Sequence, residues 1–178
     1  MFNQAALEAI GVAFAMDVPR VALLVLPAEG SVRRAVFDLR TLGINAHGLD
    51  VQDAERGGAY LLQNGAGREA APTLLVATLA TTRGLDLPEL THVFMLGVPR
   101  SLTADAYLHV AGRVGRFGKS GKVIAVLEAR HEVQKEKKKD GKVKMGYKDE
   151  PAWLQKIYRR VGVRPTRFEH FGDDEREE

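Results

Sequence analysis

The chain has 178 residues, enough for one domain with a substantial core, and 45% of them are apolar. No apolar run approaches the roughly eighteen residues of a membrane helix, so the composition predicts a soluble protein without a membrane partner. A net charge of +3 permits a polyanionic partner without requiring one. The absence of cysteine excludes disulfides and thiolate metal sites, and the first residues do not resemble a secretory signal.

The first part of the chain predicts a helix, a strand and a second helix. Asn3 to Ala15 has apolar residues at helical spacing, and Val21 to Leu26 is an unbroken apolar run typical of a strand buried on both faces. Ser31 is suited to cap the second helix, and Gly43 to end it. The inner face of that helix is predicted to carry Val32, Ala35, Val36, Leu39 and Leu42.

Four further strands are predicted at Ile44 to Leu49, Thr73 to Thr78, Thr91 to Leu96 and Lys122 to Leu127, with a helix from Asp53 through Leu62. Strands separated by helices favour an α/β fold with a parallel sheet and helices on both faces. Ligands of such sheets bind beyond the carboxyl ends of the strands.

The composition changes at residue 130, where a core domain over 1–129 is predicted to end. Seven lysines lie between Lys135 and Lys148, so 130–149 is either a solvated loop or a basic hairpin with Asp140-Gly141 at its turn. Pro151 then opens a helix over 150–163 that is expected to pack on the domain. A polar tail, 164–178, follows.

The stretch from Tyr107 to Gly118 contains two arginines three residues apart, Arg113 and Arg116. On one helical turn both guanidinium groups would point to the same place, and such a pair suits a phosphate chain. The alternative is the end of a surface helix with two solvated arginines. The turn that carries these arginines is predicted to lie beyond the carboxyl ends of the strands, close to the loop after Thr78.

That loop contains a second polar cluster. Gly84 allows a close approach or a positive φ, and Asp86 beside it offers two acceptors suited to sugar hydroxyls. The alternative is a plain connection between two strands.

Together, the loop after Thr78 and the Tyr107 to Gly118 stretch resemble the fifth and sixth motifs of the second RecA-like domain of DEAD-box RNA helicases. The resemblance covers roughly Val21 to Glu128. It implies a RecA-like fold and a nucleotide site in which Asp86, beside Gly84, holds the ribose of ATP. Arg113 and Arg116 would then be arginine fingers at the γ-phosphate.

The same resemblance implies an RNA site. Thr78 would contact an RNA phosphate, Arg56 would grip the RNA backbone, and His109 would help couple RNA binding to ATP between two lobes.

Three positions depart from the family pattern. Asp53 stands where the family has glutamine, Leu79 where it has aspartate, and Val110 where it has arginine. The departures at Leu79 and Val110 remove polar positions, which predicts altered contacts between the lobes while the phosphate-facing arginines are kept. The chain is therefore expected to be a divergent member of the family.

The chain lacks a Walker A loop and an Asp-Glu-Ala-Asp stretch, which in the family hold the phosphates and magnesium. Gly118-Lys119-Ser120 is not such a loop, because the required first glycine falls at Arg113. ATP with Mg²⁺ is therefore expected to be bound mainly by an N-terminal RecA-like lobe, and the chain alone is expected to be inactive. His47, His92, His131 and His170 show no metal-ligand spacing.

The sequence thus predicts the C-terminal lobe of an ATP-dependent RNA helicase, with RNA, an N-terminal lobe and ribonucleoprotein assembly factors as its partners. The alternative is a catalytically silent RNA-binding or assembly module that retains the RecA-like fold. An intracellular location is expected, whether cytoplasm, nucleus or organelle matrix.

Overall fold

A computed structural model describes residues 4–27, 30–49, 74–82, 87, 90–115, 118, 120–137 and 143–166. Within these ranges the chain forms a five-stranded sheet, a separate hairpin and four helices. None of the helices described there is long and apolar enough to cross a bilayer.

The main sheet is parallel throughout, and its strand order is β2-β3-β1-β4-β5. The strands are β1 (Ala22–Leu26), β2 (Ala46–Gly48), β3 (Leu74–Thr78), β4 (His92–Leu96) and β5 (Lys122–Val126). The five predicted strands are confirmed, each with bounds within two residues of the observed ones.

Helices cover both faces of this sheet. They are α1 (Gln4–Met16), α2 (Val32–Thr41), α3 (Ala104–Ala111) and α4 (Glu150–Val161). Successive side chains of β1 alternate between two cores: Ala22, Leu24 and Leu26 pack with α1 and α2, whereas Leu23 and Val25 pack with α3 and α4. This alternation explains the unbroken apolar runs and confirms the predicted α/β fold, with a parallel sheet and helices on both faces.

The ends of α2 follow the sequence closely, with one exception. The hydroxyl of Ser31 accepts from the amide of Arg34 at the N-terminus, and Gly43 follows the helix with a φ of 80°. Leu42, however, is the C-cap and is 44% exposed. The prediction that Leu42 lies on the inner face of α2 is wrong, because the helix ends at Thr41, one residue before it.

The basic segment forms an antiparallel hairpin of β6 (His131–Lys137) and β7 (Val143–Lys148). Asp149 caps α4, and Gly162 ends it with a φ of 75°. Leu154 and Ile157 of α4 are buried in the core that also contains α3. The predicted helix over 53–62, the predicted turn at 140–141 and the tail after residue 166 lie outside the described residues, and the division into domains stays a prediction.

Candidate functional site

Helix α3 ends just before the first of the two arginines. Thr103 caps its start by accepting from the amide of Ala106, and the amide of Gly112 donates to the carbonyl of Leu108 at its end. A Cβ at Gly112 would lie 2.9 Å from that carbonyl oxygen, so glycine suits this tight ending. Arg113 therefore directly follows the helix, in a turn where its amide donates to the carbonyl of Val110 at 3.1 Å. The expectation that it shares one helical turn with Arg116 stays a prediction, because Arg116 lies outside the described residues.

The guanidinium of Arg113 is held against the last turn of α3. Its Nη2 donates to Nε2 of His109, four residues earlier, and only 9% of Arg113 is exposed. Guanidinium has donors alone, so Nε2 of His109 must be the acceptor in this contact. The imidazole is then neutral, with its proton on Nδ1. The structure thus joins two of the predicted site residues in one hydrogen-bonded unit.

The inner face of α3 holds this unit to the body of the domain. Tyr107 and Val110 are buried, and the ring of Tyr107 meets Tyr158 of α4 edge-on at 5.5 Å between centroids. Burial raises the pKa of the Tyr107 phenol well above its usual range. Val110 and Leu79, two of the departures from the family pattern, both pack in this core. In this chain both positions thus contribute to apolar packing. For Val110 the sequence could have indicated this, because Tyr107 and Val110 are three residues apart and lie on one face of a helix.

The turn after α3 lies at the amino-terminal edge of the sheet. Gly121 directly precedes β5, and a Cβ there would lie 2.5 Å from Cβ of Val114 and 2.6 Å from the amide of Gly115. Val114 and Gly115 therefore pack onto the start of β5. The prediction that the Arg113 turn lies at the carboxyl ends of the strands is wrong, because α3 runs back across the sheet from the carboxyl end of β4.

Thr78 is the last residue of β3 and lies at the opposite, carboxyl edge. Its amide donates to the hydroxyl of Thr81 at 2.9 Å, and the two hydroxyl oxygens are 3.3 Å apart. The amide of Thr82 then donates to the carbonyl of Thr78 and closes the turn. Sequence reasoning did not identify Thr81, whose hydroxyl fixes Thr78; a Thr-x-x-Thr spacing is the signal that could have done so.

The two edges are separated by the length of a strand. Leu74 and Thr78 span β3, and their separation is roughly 13 Å at the usual rise of a strand. The structure therefore does not bring Thr78 and Arg113 together. Four other predicted site residues, Arg56, Gly84, Asp86 and Arg116, lie outside the described residues.

One described neighbour relates the loop after Thr78 to α3. Leu87, the residue after Asp86, is buried in the same core as Val110 on the last turn of α3. Leu79, directly after Thr78, packs against the same core, so Leu79 and Leu87 both lie on the α3 side of the sheet.

The described residues contain no group of three or more histidine, cysteine, aspartate or glutamate side chains that could hold a metal. His92 is buried with a structural role: its ring nitrogens lie 2.9 Å from Oγ1 of Thr91 and 3.0 Å from Oδ2 of Asp17. Lys122 also contacts this carboxylate. The hydrogen bond from Lys122 is the main cause of a lowered pKa of the Asp17 carboxyl, and the hydrogen bond from His92 lowers it further.

A known protein family matches the part of the chain that contains β3, β4 and α3. Residues 63–118 match the helicase conserved C-terminal domain. Over 61 residues the chain is 44% identical to the ATP-dependent RNA helicase SrmB of Escherichia coli K12, an alignment that covers 34% of this chain and 13% of SrmB. The chain thus spans only a small part of the length of this relative.

Solved structures agree with this match. The crystal structure of E. coli SrmB bound to regulator of ribonuclease activity A superposes with a TM-score of 0.56 at 27% identity, covering 68% of this chain and 69% of that one. The C-terminal domain of the DEAD-box protein Dbp5 superposes with a TM-score of 0.60 over 90% of this chain and 81% of that one. At 18% identity the Dbp5 likeness concerns the fold alone.

Proposed function

We propose that this chain, which carries the C-terminal RecA-like domain of a DEAD-box RNA helicase, acts as the C-terminal lobe of an ATP-dependent RNA helicase. It would bind the RNA backbone at one edge of its sheet. At the other edge it would supply arginine fingers to an ATP site that it shares with an N-terminal lobe.

The unit of Arg113 and His109 is the observation that supports this proposal most directly. The guanidinium is largely shielded and is oriented by an exposed imidazole at the end of α3, within the segment that matches the helicase domain. A surface arginine with no function would instead extend into water, because a long side chain loses conformational entropy when it is held. A pre-oriented guanidinium is suited to charge that develops on a transferring phosphoryl group.

The predicted nucleotide-site residues suit ATP as the nucleotide. Arg113 and Arg116 would contact the γ-phosphate, and Asp86 with Gly84 would hold the ribose. Mg²⁺ would neutralise phosphate charge, and we assign it mainly to the N-terminal lobe, which would carry the Walker A loop and the acidic ligands.

RNA would bind at the carboxyl edge. The hydroxyl of Thr78 is held there by Thr81 and would donate to a phosphate, and Arg56 would contact the backbone nearby. Because the two edges are a strand length apart, ATP and RNA would act on opposite ends of the same rigid sheet. His109 would couple them by setting the orientation of Arg113 when the two lobes meet.

The test is RNA-stimulated ATP hydrolysis after the N-terminal lobe of SrmB is joined to this chain. We expect hydrolysis that requires Mg²⁺ and rises with added single-stranded RNA, whereas neither part alone should be active. A joined protein that folds but shows no RNA-stimulated hydrolysis would contradict the proposal.

The alternative is a catalytically silent module that binds RNA or ribonucleoprotein assembly factors. The apolar packing of Val110 and Leu79 favours it, because these positions are polar in the family pattern. The joined protein separates the two functions: the silent module would bind RNA without hydrolysing ATP. An intracellular location belongs to either proposal.

A further inference from the structure

A cleft of about 1100 Å³ opens at the carboxyl ends of β1, β4 and β5; we call it the carboxyl-edge cleft. Pro27, Gly30 and Gly97 contribute to its lining, as do Arg100, Trp153 and residues at the base of the hairpin. After β1 the chain continues to α2 on one face of the sheet, and after β4 it continues to α3 on the other. Such a divergence of neighbouring loops is where open parallel sheets bind ligands.

Two pairs of arginine and aromatic side chains line the cleft. The guanidinium of Arg100 lies 5.1 Å from the ring centroid of Trp153, and that of Arg130 lies 4.4 Å from the ring centroid of Tyr147. Tyr147 is 50% exposed. A guanidinium stacked on a ring keeps its in-plane donors available for phosphate, and the accessible part of the ring can stack on a base.

These arginines bring positive charge that the described residues do not neutralise closely. Among the described side chains Arg100 forms no ion pair, and the carboxylate of Asp149 is 4.0 Å from Nε of Arg130. Lys148, in contrast, contacts Glu128 at 2.7 Å and the buried Glu150 at 3.0 Å. The lysine thus pairs with the two carboxylates that line the cleft, and Arg34, which also lines it, pairs with Asp38. Arg100 and Arg130 are the lining cations without a close ion pair among the described residues.

The cleft lies at the same edge of the sheet as Thr78. Leu26 and Thr78 are register partners at the ends of β1 and β3, and Pro27, the residue that follows β1, contributes to the lining of the cleft. A smaller cavity of about 70 Å³, lined by Leu26, Leu79 and Gly97 among others, lies between them. A strand at Thr78 could therefore extend into the cleft along the same edge.

We infer that the carboxyl-edge cleft binds single-stranded RNA that continues from Thr78, with bases stacked on Tyr147 and Trp153 and phosphates at Arg100 and Arg130. The inference rests on the proposed function, and it assigns a role to a hairpin outside the segment that matches the helicase domain. RNA fits better than an acidic peptide, because two aromatic rings accompany the guanidinium groups. Base stacking on aromatic side chains is the usual means of binding single strands without regard to sequence.

Two measurements on the chain of 178 residues test the inference. Oligouridine containing 4-thiouridine is photo-crosslinked to the chain, and the modified peptides are identified by mass spectrometry. We expect cross-links at Tyr147 or Trp153. Fluorescence anisotropy with labelled oligouridine then measures the affinity of each variant.

Tyr147→Leu should weaken binding about tenfold without changing the salt slope, because it removes stacking but no charge. The double variant Arg100→Gln/Arg130→Gln should weaken binding and reduce the slope of log affinity against log salt by about 1.4, since single strands give about 0.7 per phosphate contact. The matched controls are Phe37→Leu, an exposed ring beside Arg34, and Arg159→Gln/Arg160→Gln, which removes the same charge from exposed positions on α4. Neither control should produce the loss seen at the cleft.

Cross-links that are absent or that avoid Tyr147 and Trp153 would overturn the inference, as would cleft variants that bind like their controls. Either result can occur while the joined two-lobe protein still shows RNA-stimulated hydrolysis, in which case the proposed function stands without this cleft. Conversely, cross-links at Tyr147 in a chain whose joined form does not hydrolyse ATP would keep the cleft as an RNA site and reject the helicase.

Discussion

Arg113 donates a hydrogen bond to Nε2 of His109 one helical turn earlier, and this contact fixes the direction of a largely buried guanidinium at the end of α3. The pair lies at the amino edge of the sheet, whereas Thr78 lies at the carboxyl edge. Predictions for the two edges can therefore be tested separately.

The arginines are expected to act on turnover more than on nucleotide affinity. In the joined two-lobe protein, Arg113→Ala or Arg116→Ala should lower kcat about a hundredfold or more, because their contacts form mainly in the reacting state. Arg113→Lys should recover little, since lysine lacks the bidentate fork. Asp86→Ala should instead raise KM. Steady-state ATP hydrolysis measures all four variants, and normal turnover in both alanine variants would favour the silent module.

His109 is expected to act through Arg113. His109→Ala removes the acceptor and should lower kcat about tenfold, corresponding to about 1.4 kcal/mol for a hydrogen bond to a charged group. His109→Gln can still present an acceptor oxygen and should retain more activity than alanine. If glutamine and alanine behave identically, the contact does not position Arg113.

The chain by itself is expected neither to hydrolyse ATP nor to bind it tightly, because it would supply only the ribose and γ-phosphate edges of the site. Titration calorimetry with ATP and Mg²⁺ should show no binding at ligand concentrations of about tens of micromolar, equivalent to less than about 7 kcal/mol of binding free energy. A submicromolar Kd would contradict the shared site.

Glu150 is expected to hold the hairpin to the body of the domain. It is 3% exposed, accepts from the amide of Glu128 at 2.9 Å and pairs with Lys148. Glu150→Ala should cost about 1 kcal/mol or more of unfolding free energy, because it removes the acceptor of a part-buried backbone amide and the partner of Lys148. Glu150→Gln keeps an acceptor oxygen and serves as the matched control. Urea unfolding measures both, and equal stability would show that the contact contributes nothing.

The same contacts predict a loss of stability in acid. The hydrogen bond from Lys148 lowers the pKa of Glu128 from 4.5. Burial alone would lower the pKa of Lys148, but its bonds to Glu128 and Glu150 raise it overall. A lowered carboxyl pKa adds stability above pH 4.5 that is lost as pH falls through the folded value. Glu128→Gln should therefore lose less stability than the wild type between neutral pH and about pH 3.

The lysines between Lys135 and Lys148 would affect RNA binding through their charge, without preference for the RNA sequence. If they contact RNA, replacing Lys137, Lys138, Lys139 and Lys142 with glutamine should reduce the salt slope by about two units or more and weaken all RNAs alike. A salt titration of RNA binding in the joined two-lobe protein measures this. Parallel lines for variant and wild type would mean that these lysines serve only to keep the chain solvated.

The sequence by itself determined the α/β fold and most of its elements. Apolar runs such as Val21 to Leu26 predict buried strands because both faces of a parallel sheet are covered, and Ser31 and Gly43 fix the ends of α2 through local hydrogen bonding and backbone conformation. The glycine-spaced arginines carried the family resemblance. These signals are local, so they can be read without knowing the tertiary contacts.

Only the tertiary structure decided how the site residues are distributed. The direction of α3 across the sheet places Arg113 and Thr78 at opposite edges. Val110 and Leu79 pack in a core to which several elements contribute. The carboxyl-edge cleft likewise combines β1, β4, the hairpin and α4, whose residues are far apart in the chain. Such arrangements depend on which faces pack together, and this follows from the burial of all elements at once rather than from any single motif.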